Sequence, residues 1–287
     1  DADALLSRAQ TLARTLPADG PVVAAWLHTT FAARAHFAGD WVAYVQETER
    51  AVQAYDRARD LRHACNQRVR WGYGLVEMGE FESAVTVLRR AVDESAELGV
   101  PLVEGYALQN LGLAYSRMGE LGLAHATLRN AEALGAAHQH GSVVAGACYY
   151  LAEVLLTLGK LEEARACANV AAATFAPSRF HHSLALAAQA RIALAAGDVA
   201  GASTLAEAAA HDRVPVAFAE GSDAIVDLTL LLTRRAAGDH AGAERAAAAG
   251  LSRLEIFLTA VPDEAARARM RERVPAHAGL LAQQPRA

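Results

Sequence analysis

Residues 108–131, LQNLGLAYSRMGELGLAHATLRNA, hold the pattern that decides the fold. Leu108, Leu111, Gly112 and Tyr115 recur at intervals of three and four, and Leu121, Ala124, Leu128 and Ala131 do the same after Gly119. Each set marks one face of a helix. Gly119 between them suits the left-handed residue that ends a first helix. Glu120 follows, where the positive end of a second helix favours a negative charge. Outward from this stretch the same phrase returns as FAGDW, EMGEF, TLGKL, AAGDV and AAGDH, with the central glycine at 39, 79, 159, 197 and 238. With Gly119, the spacings are 40, 40, 40, 38 and 41 residues. Such a period predicts a solenoid of stacked helical hairpins, each packed only on its neighbours. The fold class expected is all-α: a right-handed α-α superhelix of about six hairpins, as an elongated particle.

Composition and proline placement agree. Alanine supplies 69 of the 287 residues, and it is the best helix former. Pro17, Pro21, Pro101, Pro177, Pro215, Pro262 and Pro275 all fall between helical patterns, where a proline does not break a helix. No stretch shows the β-branched alternation of a strand. The organisation expected is an N-terminal helix over 1–20, six repeats over 21–260, and capping helices with a tail over 261–287.

The repeats resemble the tetratricopeptide repeat. Gly72, Gly79, Phe81, Ala84 and Ala91 fit its spacing of small residue, turn glycine, apolar residue and two tight-contact alanines, as do Gly112, Gly119, Leu121, Ala124 and Ala131. Ala152, Gly159, Leu161, Ala164 and Ala171 keep the pattern with alanine first. The outer repeats depart from it at Tyr44, His240 and Gly250. The period exceeds the usual length of about 34, so each helix is expected to be longer. Two further stretches, LRHACNQRVRWGYGLVEMGEFESA (61–84) and FLTAVPDEAARARMRERVPAHAGLLA (257–282), resemble the C-terminal repeat region of large bacterial serine/threonine kinases and STAND-type signalling ATPases. That resemblance implies a regulatory or docking region, with the catalytic domain elsewhere in a longer protein. No kinase residue is carried over to this chain.

The function expected is a non-catalytic protein-interaction scaffold. The alternative is a peptide or small-ligand sensor that switches an attached kinase or ATPase domain. No phosphate loop, HExxH, GxSxG or Cys-x-x-Cys occurs, and no cofactor is expected. The net charge of −5 argues against a nucleic-acid partner. No run reaches the roughly 18 uncharged apolar residues of a membrane span. Cys65, Cys148 and Cys167 are few and unpaired in spacing, which fits a cytoplasmic protein. Cys148 and Cys167 fall on the two helices of one repeat and read as small core residues. His138 with His140, and His181 with His182, are metal candidates only if a third ligand approaches; they read as loop and helix-end histidines. Arg68, Arg70, Arg89 and Arg90 suggest a basic patch on the second repeat, offset by nearby glutamates.

In tetratricopeptide arrays the first helix of each repeat lines the concave face. The resemblance therefore places Tyr73, Glu77, Tyr106, Gln109, Asn110, Arg117, Tyr149 and Glu153 in a partner-binding groove for a protein or peptide. Trp26, Thr29, His36, Asn66 and Arg191 lie on or near the same face. The carboxylate clamp of some relatives maps to Val69, Tyr73, Asn110, Gly146 and Tyr150, of which only Asn110 fits. A clamp of that kind is not expected, and the sequence leaves the oligomeric state open.

Overall fold

The computed structural model describes residues 8, 11, 20–214 and 223–283. The helix expected over 1–20 falls outside these, apart from Arg8, Thr11 and Gly20, as do Pro215 and Pro285. The described residues form fourteen helices and no strand. Six hairpins follow one another: α1 (Pro21–Ala38) with α2 (Trp41–Arg57), α3 (Leu61–Glu77) with α4 (Phe81–Glu97), α5 (Pro101–Arg117) with α6 (Leu121–Ala137), α7 (Gly141–Thr157) with α8 (Leu161–Phe175), α9 (Arg179–Ala195) with α10 (Val199–His211), and α11 (Ala224–Ala236) with α12 (His240–Thr259). Two short helices end the described chain, α13 (Glu264–Arg273) and α14 (Pro275–Leu281).

The repeat length comes from simple local geometry. Helices α2 to α7 have 17 residues each, and a three-residue turn follows each of them. Within a hairpin the turn is made by the central glycine, with φ of +76° at Gly79 and +81° at Gly119. A side chain there is strained. The backbone closes as a Schellman turn: Glu80 N donates to Leu75 O at 2.8 Å, and Gly79 N to Val76 O at 3.0 Å. The acidic residue that follows works in two ways. Asp40, Asp198 and Asp239 each accept a backbone N–H of the new helix at 2.8–3.0 Å. Glu80 and Glu120 make no such cap and contribute their charge alone. Pro21, Pro101 and Pro275 open helices at the first position, where the missing N–H costs nothing.

The hairpins close on alanine. Ala84, Ala124, Ala164, Ala91, Ala131 and Ala171 are fully buried. The main core runs through α3 to α9 and includes Phe81, Leu88, Leu128, Leu151 and Leu155. The outer repeats depart from the pattern for visible reasons. Tyr44 stands at an alanine position because Gly74 on the next helix leaves room: a Cβ there would lie 2.8 Å from the tyrosine ring. Gly250 likewise makes space for Asp227, whose Cβ would be 2.8 Å from a Cβ at 250.

The C-terminal helices return to the first two hairpins of the array. Arg269 Nε donates to Met78 O at 3.0 Å, and its Nη2 pairs with Glu80 at 2.7 Å. Arg273 Nη2 pairs with Glu82 at 2.7 Å, and its guanidinium lies 4.8 Å from the centre of the Phe81 ring. Behind these pairs an apolar seam joins Ala32, Ala35, Trp41, Tyr44 and Met78 to Leu254, Phe257, Leu258, Val261 and Met270. The turn glycines permit the approach: a Cβ on Gly39 would stand 2.9 Å from Ala260 Cβ, and one on Gly79 3.1 Å from Arg273 Cβ. A forty-residue period says nothing of total curvature, so the closure is invisible in the repeat pattern.

Candidate functional site

The first helices of the hairpins, α3, α5, α7 and α9, supply the charged and aromatic side chains of the candidate groove. Arg117 lies in the last turn of α5, Tyr149 and Glu153 one turn apart on α7, and Arg191 on α9. Glu153 is ion-paired to Arg191 across the repeat boundary. Tyr149 lies against this pair. Burial, then the negative charge of Glu153 and the neighbouring Tyr150 phenol, push its phenol pKa upward, while Arg117 and Arg191 pull it back. Its ring is 5.1 Å from that of Tyr150. Arg117 also acts on His277 of α14. Among the described residues no hydrogen bond or ion pair engages Arg117, which acts on Tyr149 through its charge.

The other expected groove residues are divided by the structure. Tyr106 is 36 % exposed, and its hydroxyl bonds Ser142 Oγ at 2.8 Å. Gln109 is buried, and its amide donates to Val143 O at 2.6 Å. It is held so closely that a Cβ on Gly146 would sit 2.2 Å from its nitrogen. Gln109 thus ties α5 to the first turn of α7 and spends its amide nitrogen there. Asn110 is half-buried beside it. Tyr73 belongs to the closing seam, edge-on to Trp41 with ring centres 6.0 Å apart, and Glu77 is half-buried one turn further along α3.

The basic patch suggested on the second repeat is reduced by burial and pairing, while Arg70 stays exposed. Arg68 is only 2 % exposed and bridges Asp56 and Glu94. Arg89 donates to the Tyr115 hydroxyl at 2.7 Å, and Arg90 pairs with Glu94. Guanidinium groups in a repeat array find carboxylates on the neighbouring repeat, and these are far apart in sequence. Sequence reasoning also passed over Asp227. This carboxylate is 1 % exposed inside an apolar helix and is held by Arg213 at 2.7 and 2.8 Å and by Arg253. A lone aspartate in AIVDLTLLLT was the available signal, since a buried charge requires partners.

The histidine pairs gather no third ligand. His181 Nδ1 lies 2.8 Å from Ser178 Oγ, and His182 Nδ1 lies 2.5 Å from Asp212. His138 and His140 stack on one another. Among the described residues no group of three or more His, Cys, Asp or Glu is placed to hold a metal ion. No helix among them is long and apolar enough to cross a membrane.

Comparison with solved structures places the chain among TPR-like helical solenoids. A Rap protein complexed with competence and sporulation factor superposes with a TM-score of 0.70 at 13% identity, covering 98% of this chain and 78% of that one. NprR in complex with its cognate peptide NprX gives 0.64 at 13% identity, with the same coverage of 98% and 78%. A Podosopora anserina kinesin light chain of nearly identical TPR-like repeats gives 0.50 at 17% identity, covering 65% and 92%. No protein-family model and no curated protein sequence matches the chain.

Proposed function

We propose that this chain is a non-catalytic scaffold that binds a protein or peptide on the inner face of α5, α7 and α9. The observation that carries the reading is the cluster of Tyr149, the Glu153–Arg191 ion pair and Arg117, whose charge acts on Tyr149. Tyrosine and arginine are the side chains that most often anchor a partner. Support also comes from Rap and NprR, which have the same fold and were solved in complex with competence and sporulation factor and with the cognate peptide NprX. On this reading the protein works in the cytoplasm as the docking region of a larger bacterial signalling protein, without nucleic acid, membrane or cofactor. The closing seam favours one second reading, a peptide sensor. A ligand in the groove beside Arg117 would act on α14, whose His277 lies within reach of the Arg117 charge, and so on the seam.

The test is capture of partners from the native cytoplasm, with Tyr106→Ala/Tyr149→Ala and Arg117→Gln variants alongside. Loss of a partner by variants that keep the helical circular-dichroism spectrum supports the groove. Retention of every partner by the folded variants removes the groove as the docking site.

A further inference from the structure

The residue before the turn glycine differs among the six hairpins. It is Ala38, Met78, Met118, Leu158, Ala196 and Ala237 in order. The C-terminal segment covers this edge of the array turn by turn, with Ala260 against Gly39 and Arg273 against Gly79. Coverage stops there, because the chain leaves α13 through extended Val274 and Pro275 opens α14. At Gly119 and Gly159 a side chain would meet open space. Met78, under α13, is 5 % exposed, while Met118 and Leu158, at the same position one and two repeats on, are 39 % and 44 % exposed. Leu123 near the start of α6 is exposed as well. The second turn is held by a small set of contacts. Arg269 takes the Met78 carbonyl and the Glu80 carboxylate, Met270 shares the apolar seam with Met78, and Arg273 lies over Phe81 and pairs with Glu82. The third turn repeats part of that set, with Met118 for Met78, Glu120 for Glu80 and Leu121 for Phe81. Glu120 is exposed and caps no helix, and no ion pair among the described residues engages it. Gly122 stands where the second turn has Glu82.

We propose that the turn edge from Met118 to Leu158 is a docking ledge for an amphipathic helix of a partner protein, one that carries a single arginine among apolar side chains. The occupant's chemistry follows from what the ledge keeps and what it lacks. Glu120 and the Met118 carbonyl offer an arginine the same two acceptors that Arg269 uses on the second turn, and a guanidinium suits such a pair. Nothing stands in for Glu82, so a second arginine in the place of Arg273 would meet no carboxylate. Gly122 and Leu123 favour an apolar residue there. Leu158 carries the apolar strip one turn further, and Lys160, which follows it and pairs with Glu163, disfavours another cation at that end. A helix so placed would continue the seam past α13 and remove from water the side chains of Met118 and Leu158. Single exposed apolar residues are ordinary on a surface. These two occupy the position that the chain's own helix buries on the preceding hairpin. The ledge lies on the turns, so this surface is additional to the inner face of α5, α7 and α9.

The test uses the full chain and a fluorescent synthetic peptide of residues 260–283 in which Arg273 is replaced by leucine. Binding is read by fluorescence anisotropy, and the site by a photo-reactive benzophenone in the place of Met270. Cross-links are expected within 118–123 and at Leu158. Glu120→Gln in the protein, or Arg269→Ala in the peptide, should weaken binding about tenfold, the worth of one hydrogen-bonded charge. Met118→Glu/Leu158→Glu should abolish it, with the circular-dichroism spectrum unchanged because both side chains are on the surface. The groove variant Tyr149→Ala should bind as the wild type does. Restoring Arg273 in the peptide should weaken binding. Absence of binding, or binding that the ledge variants leave intact, would overturn the proposal. Cross-links confined to 78–82 would do so as well, since the peptide would then be exchanging with α13. A concentration-dependent dimer of the full chain that Met118→Glu abolishes would give the ledge to a second copy and overturn the assignment to a partner protein.

Discussion

Gly72 of α3 lies directly beneath Leu88 of α4: a Cβ at 72 would stand 2.4 Å from the leucine Cγ. Gly112 and Leu128, again sixteen residues apart, repeat the relationship at 2.5 Å. Where the first position carries a Cβ the second shrinks, as in Ala152 with Ala168 and Ala190 with Ala206, all four fully buried or nearly so. The sixth hairpin reverses the pair as Leu231 and Ala247. One volume is thus shared between two helices, and the repeats divide it differently. Close packing of this kind makes each partner's size conditional on the other's.

Gly112→Ala should therefore destabilise the protein by about 1–3 kcal/mol through overpacking, despite the better helix propensity of alanine. Leu128→Ala alone should cost about 2–5 kcal/mol. The double variant recreates the Ala152/Ala168 pair and should lose clearly less than the sum. Urea unfolding of the four proteins measures the coupling. Additive losses would show that the two positions do not share space.

Ala124 is fully buried at the point where α5 and α6 touch. Ala124→Leu should lower stability by about 1–3 kcal/mol. An unchanged melting temperature would place that contact elsewhere.

Stability should fall as the pH drops from 6.5 towards 4. His277 is completely buried, donates Nδ1–H to Met270 O at 3.1 Å, and leaves Nε2 without a partner. Burial lowers its pKa to about 4 from an ordinary 6.5. Between those values the unfolded chain holds the proton and the folded chain does not. The stabilisation is full above 6.5 and is lost as the pH falls to about 4, in total on the order of 3 kcal/mol. Thermal unfolding across this range should show a slope that His277→Leu flattens.

The seam should loosen when its ion pairs are removed. Arg273 pairs with exposed Glu82, whose carboxyl is held below its ordinary value by that hydrogen bond. The contribution of this pair is present above the usual glutamate range and fades as the pH falls below it. Arg269→Ala/Arg273→Ala should increase the radius of gyration in small-angle scattering. High salt should move the wild type the same way, because exposed pairs are screened. An identical scattering curve for the double variant would mean that the apolar seam alone holds the ends.

The repeat architecture was legible because each hairpin is specified locally. The glycine at 79 or 119, the alanines five and twelve places later and the prolines at helix starts are short-range signals. The groove residues were legible only as positions. Frame placed Gln109 on an inner helix, yet whether its amide is free depends on the carbonyl of Val143, thirty-four residues away. Arg68 read as surface for the same reason, since Asp56 and Glu94 reach it from other helices. The seam at Phe81 has no local signature, because it depends on the summed rotation of many hairpins.

That summed rotation fixes a number. In an open solenoid a hairpin can be gained or lost, and the remaining interfaces are untouched. Here Glu82 meets Arg273 across 191 positions of chain, and the meeting occurs only if the intervening hairpins turn through the right total angle. Removing one forty-residue unit would carry α13 past its partners and expose Trp41, Met78 and Met270 together. The hairpin count is therefore set as the stave count of a cask is set, and the chain cannot lengthen or shorten by single repeats without a rewritten seam.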